Sequence, residues 1–364
     1  MKKKVLHVSF GGLSNGGVSS VIIGIVSKLY RQFDFGCIVF SKQCERESEF
    51  LKYGRLYRLN CYRTGNFFLK IFEMIFRPFI MTIGTFRICV KEKYQVIHCH
   101  NGKDMFFPLL GAKLANVPKR IAHSHNSKSP LKRNIIYRIY NFFLWRMTKL
   151  LATDFVGCSK IACDDFFEDK NYLIINNSID LSNYVWKQER KNHVEFIHVG
   201  RFDYQKNQKF VIKVFENVKI RQPASILRLV GFGRDEQELR SLVSSKGLSE
   251  SVLFFDGHNA DIPKMLSQSD CMIFPSIYEG FGIVLLEAQA SGCYCFASDV
   301  CPTDANVGFM ENLPLSIGAE KWATRILNYL ERNDCAETKD NVMRNLKKFD
   351  LDFIAQRYKQ LYAE

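Results

Sequence analysis

Short apolar runs alternate with longer amphipathic segments along the chain. In the first half the runs are VLHVSF, FGCIVF, YQVIHCHN and RIAHSHN, with helical patterns between them over residues 17–30, 67–93 and 106–115. Apolar, β-branched runs of this length predict buried strands, and their alternation with helices predicts a parallel sheet covered on both faces. The expected fold class is therefore α/β, with a doubly wound sheet.

A second series of the same kind follows. Its apolar runs are VEFIHVGRF, ILRLVGFG, SVLFFDG, DCMIFPS and CYCFASD, and the two series join near NNSIDLSNY. A chain of 364 residues also suits two domains of roughly 180 residues each. We therefore expect two Rossmann-like domains facing each other across a central cleft, with ligand-binding residues just after the strands.

Two amphipathic segments are ambiguous between a buried helix and a membrane-surface helix. In residues 67–86, Phe68 and Phe79 belong to an apolar face at helical spacing, and Pro78 predicts a kink or break. Burial in the core is the favoured interpretation of this segment. Residues 131–151 interleave basic and aromatic side chains, which suits a bilayer interface as well as a core, so both remain open.

The net charge of +14 is concentrated in one part of the chain. Residues 51–150 hold 19 Lys and Arg against 3 Asp and Glu, whereas residues 187–364 hold 23 against 24. A one-sided basic region indicates a polyanionic partner, either an acidic membrane surface or a nucleic acid, although a solvated basic face is the plainer alternative.

Targeting and redox signals are few. The apolar run after MKKK is about five residues long, too short for a signal peptide, and no stretch of about 18 apolar residues predicts a spanning helix. The twelve cysteines form no CxxC pair, which predicts free thiols in a reducing cytosol.

The stretch YEGFGIVLLEAQASG, residues 278–292, holds two carboxylates separated by seven residues. Gly280 and Gly282 disfavour helix at its start, so Glu279 is placed on a loop and Glu287 about one turn into the following helix. The backbone N–H groups of residues 280–283 would then form a helix N-terminus, which attracts anions. The alternative is that Glu279 caps the helix and Glu287 is a solvated surface residue.

Other candidate residues follow predicted strands. Gly16 and Gly17 open a helix after the first strand, where backbone amides can approach a phosphate or sugar. Arg201 and Lys206 follow the first strand of the second series, and two fixed cations there suit a diphosphate, with a surface pair as the alternative.

Two HxH pairs end strands of the first series. They are His98 with His100, and His123 with His125. Each pair points two imidazoles to one face, but no carboxylate or cysteine has a matching spacing, so no metal site is expected. Hydrogen bonds to a ligand are the preferred interpretation.

Several of these motifs together carry a family resemblance. HVGRFDYQKNQ, LVGFGRDEQELR and the run from FDGHNADIPKM to YEGFGIVLLEAQASG resemble the carboxyl-terminal domain of retaining GT-B glycosyltransferases of glycosyltransferase family 4. NNSID is similar to the family's interdomain hinge, and FDLDFIAQRYKQLY to its terminal helix. The GGV turn and the IHCHN and RIAHSHN strand ends most resemble the bacterial capsule, exopolysaccharide and O-antigen branch. Essentially the full length is covered.

The resemblance implies a domain organisation and a reaction. It predicts an acceptor- and membrane-facing domain over residues 1–180, a nucleotide-sugar-binding domain over 181–345, and a helix over 346–364 that crosses back to the first domain. The implied reaction is retaining transfer of a hexosyl or N-acetylhexosaminyl group from a nucleotide sugar, most often a UDP-sugar, without a bound metal or other cofactor. The implied acceptor is a lipid-linked or growing surface polysaccharide, reached by peripheral association with the cytoplasmic face of the cell membrane.

The resemblance also implies roles for individual residues. Arg201 and Lys206 would hold the donor diphosphate and stabilise charge on the departing nucleotide. Glu287 would accept hydrogen bonds from the ribose hydroxyls, and Glu279 would contact the transferred sugar. His125 would hydrogen-bond that sugar from the first domain.

The remaining expected donor contacts are supporting ones. His123 would lie beside the sugar. Gly16 and Gly17 would let the phosphates approach, and Gly231 and Gly233 would let the base approach. The backbone amides of Phe281, Gly282 and Ile283 would lie near the reacting sugar.

Two other functions stay open at this stage. A nucleic-acid-binding protein would account for the basic half, although no known nucleic-acid module is present and the cation and carboxylate set lies in the neutral half. An epimerase of the same fold would act on the sugar nucleotide without any acceptor.

Overall fold

The structure is a computed structural model that describes residues 2–41, 44–59, 67–131, 134–187, 192–331 and 339–364, with residues 67–75 described for their backbone alone. Its contacts divide the chain into two compact units. Unit 1 comprises residues 1–178 and 351–364, and unit 2 comprises residues 179–350. The boundary near residue 178 falls within NNSIDLSNY, and the last 14 residues belong to unit 1.

Unit 1 contains a seven-stranded parallel sheet. The strands are β1 Lys3–Ser9, β2 Phe33–Val39, β3 Gly54–Arg58, β4 Val96–His100, β5 Lys119–Ser124, β6 Asp154–Gly157 and β7 Leu173–Ile174. Their order is β3-β2-β1-β4-β5-β6-β7, so the winding direction reverses between β1 and β4. His7 of β1 pairs in register with His98 of β4, and His100 of β4 pairs with His123 of β5.

Helices join the strands of unit 1. They are α1 Gly17–Leu29, α2 Glu47–Phe50, α3 Phe67–Glu92, α4 Phe106–Leu114, α5 Ile135–Leu151, α6 Lys160–Phe167 and the terminal α13 Leu351–Ala363. Helix α13 packs against α1, where Lys28 and Asp352 form an ion pair of 2.8 Å. Its Tyr358 and Tyr362 side chains are fully buried. The terminal helix is therefore an integral part of unit 1.

Unit 2 contains a six-stranded parallel sheet. Its strands are β8 Glu195–Val199, β9 Ile226–Gly231, β10 Val252–Asp256, β11 Cys271–Phe274, β12 Tyr294–Ser298 and β13 Met310–Leu313. The helices are α7 Gln208–Arg221, α8 Glu236–Ser245, α9 Ile262–Ser267, α10 Ile283–Ala290, α11 Gly318–Glu331 and α12 Lys339–Leu346. The order β10-β9-β8-β11-β12-β13 reverses its winding between β8 and β11.

The doubly wound α/β prediction is confirmed for both units. All nine predicted apolar runs contain a strand of a parallel sheet, and the central strands are buried almost throughout. Helices cover parallel sheets on both faces, so these strands must be apolar on both sides, which is why the sequence shows continuous rather than alternating apolar runs.

Helix α3 differs from the expected buried amphipathic helix. It continues through Pro78 from Phe67 to Glu92, so a break at this proline is wrong. Phe79, on the face expected in the core, is 60% exposed, and the helix instead buries Met81, Thr85 and Cys89. The other members of the expected face lie among the residues whose side chains the structure does not describe, Phe68, Ile71, Phe72 and Ile75.

Helix α5 buries one narrow face and exposes the other. Leu144, Thr148 and Leu151 are buried, whereas a run of large apolar side chains on the remaining surface is exposed, with Ile136 at 76%. This outer face comprises Ile135, Ile136, Ile139, Phe142, Phe143 and Leu150. Core burial therefore accounts for only part of the apolar pattern in residues 131–151.

Among the residues that the structure describes, no helix combines the length and the apolar character needed to span a bilayer. The ten cysteines that the structure describes are all free thiols, as the sequence predicts for those positions.

The close approach of α3 and α4 depends on a glycine. A Cβ atom at Gly111 would lie 2.3 Å from the carbonyl oxygen of Thr82, a backbone atom that cannot move alone. We expect Gly111→Ala to lower the free energy of unfolding by about 1–3 kcal/mol, the usual cost of overpacking. Urea unfolding followed by circular dichroism measures this, with Gly11→Ala as control because nothing lies within 4 Å of its Cβ position. Equal midpoints for the two variants would contradict the prediction.

Candidate functional site

The strongest candidate site in unit 2 lies where the winding of its sheet reverses. Lys206 follows β8 and Glu279 follows β11, the two neighbouring strands on either side of the reversal. The Lys206 Nζ atom lies 2.5 Å from Glu279 Oε2, and the two side chains are only 16% and 10% exposed. Lys206 Nζ also lies 4.5 Å from the ring centre of Phe274, a favourable cation–π distance. The topology thus brings together two residues that are 73 positions apart in the sequence.

Hydrogen bonds hold the two loops of this ion pair in place. Gln205 Nε2 donates to the carbonyl oxygen of Tyr278 at 3.0 Å, and Asn207 Nδ2 donates to that of Pro275 at 3.1 Å. The backbone N–H of Ile277 donates to the Gln205 carbonyl at 2.8 Å. These polar side chains fix the loop after β8 to the loop after β11, so the positions of Lys206 and Glu279 are set by several interactions.

Arg201 occupies a more open position. Its side chain is 63% exposed, and Nη2 lies 3.3 Å from Asp203 Oδ2. An exposed guanidinium with one acidic neighbour can reorient at little cost to meet a phosphate. Lys206 and Arg201 therefore differ, since the first is held by a buried acid and the second is free to move.

The helix predicted after Glu279 is present. Helix α10 begins at Ile283 after Gly282, whose φ of 79° is a left-handed conformation that glycine adopts without strain. No side chain caps this N-terminus; the Glu279 Oε1 atom instead accepts a hydrogen bond from Gly280 N–H at 3.2 Å, before the helix. Phe281 is fully buried, and the ligand contact expected of its backbone amide stays a prediction. The alternative in which Glu279 caps the helix is wrong.

Glu287 lies one turn into α10 and is bound by a residue that the sequence analysis did not select. Tyr184 Oη donates a hydrogen bond of 2.9 Å to Glu287 Oε1. Burial raises the pKa of Glu287, and the hydrogen bond from Tyr184 opposes that rise; burial and the Glu287 charge raise the pKa of Tyr184. Glu287 is therefore a partly buried, oriented carboxylate rather than a solvated surface residue. No local signal marks Tyr184, because its partner is 103 residues away.

Glycines allow close backbone packing after β9. A Cβ atom at Gly231 would lie 2.1 Å from the Gly200 carbonyl oxygen, and one at Gly233 would lie 2.3 Å from that of Phe202. Between them, Phe232 stacks on the His258 ring with centroids 3.8 Å apart. This aromatic pair is a planar surface beside the strand ends, of a kind on which a nucleobase can stack.

The candidate residues of unit 1 lie at the ends of its own central strands. Gly16 precedes α1 and Gly17 begins it, with no side-chain cap. His123 is in β5 and His125 directly follows it, and both are at least nine-tenths buried. Burial lowers the pKa of His125 to about 4, so its imidazole is neutral near pH 7. The ligand contacts expected for these four residues stay predictions.

Both HxH pairs belong to a larger cluster that also contains His7. No sequence motif marks His7, because it is a lone histidine in an apolar strand, VLHVSF. All five imidazoles, from His7, His98, His100, His123 and His125, are buried and in mutual ring contact. No metal site was expected because each HxH pair was considered separately, whereas the structure places both pairs in one cluster with His7.

Comparison with known proteins identifies the second unit. Residues 183–334 match the sequence family described as glycosyl transferases group 1. EpsF of Bacillus subtilis (strain 168), named as a glycosyltransferase, is 28% identical over 89% of this chain and 87% of its own length. The capsular polysaccharide biosynthesis glycosyltransferase CapH of Staphylococcus aureus is 24% identical over 99% and 98%, respectively.

Solved structures agree with the sequence comparison. HepE of Anabaena, solved in complex with UDP-glucose, superimposes with a TM-score of 0.77 at 17% identity and covers 99% of both chains. WaaG, a glycosyltransferase involved in lipopolysaccharide biosynthesis, has a TM-score of 0.73 at 14% identity and covers 98% of this chain and 99% of its own. Likenesses at these identities establish the fold. The chain is therefore a glycosyltransferase with the GT-B fold, and its residues 183–334 are similar to glycosyl transferases group 1.

Proposed function

We propose that the protein transfers a hexosyl or N-acetylhexosaminyl group from a UDP-sugar to a lipid-linked or growing surface polysaccharide, with retention of anomeric configuration. The observation that carries the donor part is the Lys206–Glu279 ion pair at the reversal of the unit 2 sheet. The names of relatives support the rest. One is CapH, and another is an Escherichia coli UDP-Gal:α-D-GlcNAc-diphosphoundecaprenol α-1,3-galactosyltransferase, 26% identical over 60% of this chain and 61% of its own length.

Lys206 and Arg201 would supply the positive charge that a leaving nucleoside diphosphate needs. Lys206 is paired with Glu279, so a diphosphate would compete with that carboxylate for the ammonium group. Arg201 would add a second, mobile cation. Fixed cations at the point where negative charge develops lower the barrier to transfer, and we propose that they do so without a bound metal ion.

The backbone of helix α10 would also help to stabilise the negative charge of the leaving diphosphate. Its first N–H groups, next to Gly282 and Ile283, have no side-chain cap and lie at the positive end of the helix dipole. Glu287, one turn further, would accept hydrogen bonds from the ribose hydroxyls. Gly231 and Gly233, through the close backbone packing that they allow, would position the Phe232–His258 stack for the base.

For the chemical step we favour attack on the same face as the departing phosphate. Retention otherwise requires a carboxylate nucleophile and a covalent intermediate. Glu279 is the carboxylate expected near the sugar, and its Oε2 atom is engaged by Lys206 at 2.5 Å. Such a paired carboxylate suits the positioning of the sugar better than nucleophilic attack.

We propose that unit 1 binds an anionic membrane through the exposed faces of α3 and α5. Helix α4 packs against both of these helices. The face of α5 carries six exposed apolar side chains together with the exposed basic residues Arg138 and Arg146. Apolar area and positive charge on the same helix face favour the interface of an acidic bilayer over a purely apolar partner. The net charge of +16 in residues 51–150 agrees with this choice.

Transfer itself tests the proposed function. UDP-sugars incubated with a lipid-linked saccharide acceptor should yield a product whose anomeric configuration, read by NMR, matches that of the donor. Conversion of the donor without any acceptor would indicate an epimerase instead, and an inverted product would contradict the retaining mechanism.

Two variants separate donor binding from turnover. Glu287→Ala should weaken UDP binding about 10- to 100-fold, because a hydrogen bond to a charged group contributes about 1.5–3 kcal/mol. Arg201→Ala should lower kcat about 10²-fold or more through lost charge stabilisation. Arg221→Ala is the matched control, since this arginine is also exposed and paired with an acid, Glu331. Normal transfer by both test variants, with circular dichroism spectra intact, would remove these assignments.

Tyr184→Phe should change the pH dependence of UDP binding. The ribose hydroxyls donate to ionised Glu287, so affinity is full above the pKa of Glu287 and falls as the pH drops through it. The hydrogen bond from Tyr184 lowers that pKa, so its removal should shift the loss of affinity to higher pH. Calorimetric titrations between pH 5 and pH 8 measure the shift, with Tyr329→Phe as control. Superimposable profiles for wild type and Tyr184→Phe would contradict it.

Charge reversal on α5 tests the membrane surface. Each basic residue near an acidic bilayer contributes about 1 kcal/mol, so Arg138→Glu with Arg146→Glu should weaken binding to phosphatidylglycerol vesicles by at least about 30-fold. The control reverses two exposed lysines of unit 2, Lys213 and Lys264. Sedimentation with anionic and with zwitterionic vesicles measures binding. An equal loss of vesicle binding in the two double variants would contradict membrane binding by the α5 face.

A further inference from the structure

Five histidines of unit 1 converge on one face of its sheet, behind the strand ends. His7 is in β1, His98 and His100 are in β4, His123 is in β5, and His125 follows β5. The five side chains are between 0% and 8% exposed. Residues two apart in a strand share a face, and in-register neighbours in parallel strands are adjacent. The pairings His7 with His98 and His100 with His123 therefore place the imidazoles side by side.

The imidazoles form two hydrogen-bonded chains. In one, His7 Nδ1 lies 2.9 Å from His100 Nε2, and His100 Nδ1 lies 2.9 Å from His125 Nε2. In the other, His98 Nε2 lies 3.0 Å from His123 Nδ1, and His98 Nδ1 lies 2.7 Å from Tyr362 Oη of α13. A neutral imidazole has one donor and one acceptor, so a chain built only of imidazoles leaves its ends unsatisfied.

Three such ends are present inside the protein. Among the residues that the structure describes, His7 Nε2, His123 Nε2 and His125 Nδ1 are buried ring nitrogens without a hydrogen-bond partner. Burying a polar atom without a partner destabilises the folded protein, and apolar side chains of similar size would avoid that cost. Such a cluster is explained if its ring nitrogens bind a ligand that is not part of the protein chain.

We propose that His7, His98 and His100 bind a transition-metal ion, with Zn²⁺ as the ion that fits best. One ring nitrogen from each of these residues lies within 4.8 Å of those from the other two. Around tetrahedral zinc, with Zn–N bonds of about 2.0–2.1 Å, ligand nitrogens are about 3.3–3.4 Å apart, so small side-chain rotations close the site. A ligand set of imidazoles alone selects zinc, copper or nickel over magnesium or calcium.

The outer partners of two ligands match those of known metal-binding histidines. A ligating imidazole usually has its second nitrogen hydrogen-bonded to a protein group, which fixes the orientation of the ring. Tyr362 Oη does this for His98 Nδ1, and His125 Nε2 does it for His100 Nδ1. His98 Nε2 and His100 Nε2 are then the ligating nitrogens, and binding of the ion would replace their hydrogen bonds to His123 Nδ1 and His7 Nδ1. The second possible triad, His100 with His123 and His125, would use up the residue expected to contact the sugar.

Such an ion would be a structural element of unit 1, separate from the transfer chemistry proposed for unit 2. It would cross-link β1 to β4 at the reversal of the sheet and, through Tyr362, orient α13. Its binding would therefore raise the stability of the folded protein by mass action.

Metal content and thermal stability test the site without any activity assay. The full chain is refolded from urea with ZnSO₄ or with EDTA, because the buried ligands limit exchange in the folded state, and is then desalted. We expect one equivalent of zinc by mass spectrometry and a higher thermal midpoint for the zinc-refolded sample. His7→Asn and His98→Asn should bind zinc at least about tenfold more weakly. His198→Asn, which changes a buried strand histidine of unit 2, should retain the equivalent.

Spectroscopy on the wild-type chain keeps the test independent of how the variants fold. Refolding with Co²⁺ should give the visible bands of a four- or five-coordinate site without thiolate charge-transfer absorption, since the proposed ligands are imidazoles. Pulsed EPR of the Cu²⁺-refolded protein should show nitrogen couplings from several imidazoles. Less than stoichiometric zinc in the wild type, a thiolate-ligated cobalt spectrum, or equal zinc binding by His7→Asn and His198→Asn would each overturn the proposal.

Discussion

The reversal of winding within each parallel sheet is the constraint on which both functional regions depend. Where the strand order reverses, the two neighbouring strands send their following loops in opposite directions, which leaves a crevice at the carboxyl edge of the sheet. In unit 2 the reversal lies between β8 and β11, and the Lys206–Glu279 ion pair joins the loops that follow these strands. In unit 1 it lies between β1 and β4, the strands that carry His7, His98 and His100.

The two regions use the constraint in different ways. In unit 2 the Lys206–Glu279 ion pair lies on the loops that follow β8 and β11, beyond the ends of these strands. In unit 1 the polar residues are within the strands themselves, where helices cover the sheet and water is excluded. Polar groups in such a place must be satisfied inside the protein, and none of the described residues supplies a partner for His7 Nε2 or His123 Nε2. That contrast separates the proposed donor surface from the buried cluster proposed to bind an ion.

Much of the fold could be predicted because central parallel strands are buried on both faces. This burial produces continuous runs such as VLHVSF and DCMIFPS, which are visible without any partner strand. Strands at or near the sheet edges were not predicted, because they are less buried and therefore lack a continuous apolar run. In β3, Gly54–Arg58 is GRLYR, and in β13, Met310–Leu313 is MENL; both contain polar residues because one side is less covered. Their identity as strands comes from pairing with β2 and β12, which local pattern does not encode.

The sequence alone determined the fold class, the positions of nearly all central strands, and the loop-then-helix arrangement of Glu279 and Glu287. Motif resemblance added the family and the roles expected of Arg201 and Lys206. Only the tertiary structure decided which side chains meet: Lys206 with Glu279, Tyr184 with Glu287, and His7 with the two HxH pairs. The physical reason is that local periodicity reports how each segment is buried, whereas contacts between residues 73 to 103 positions apart depend on strand order and register.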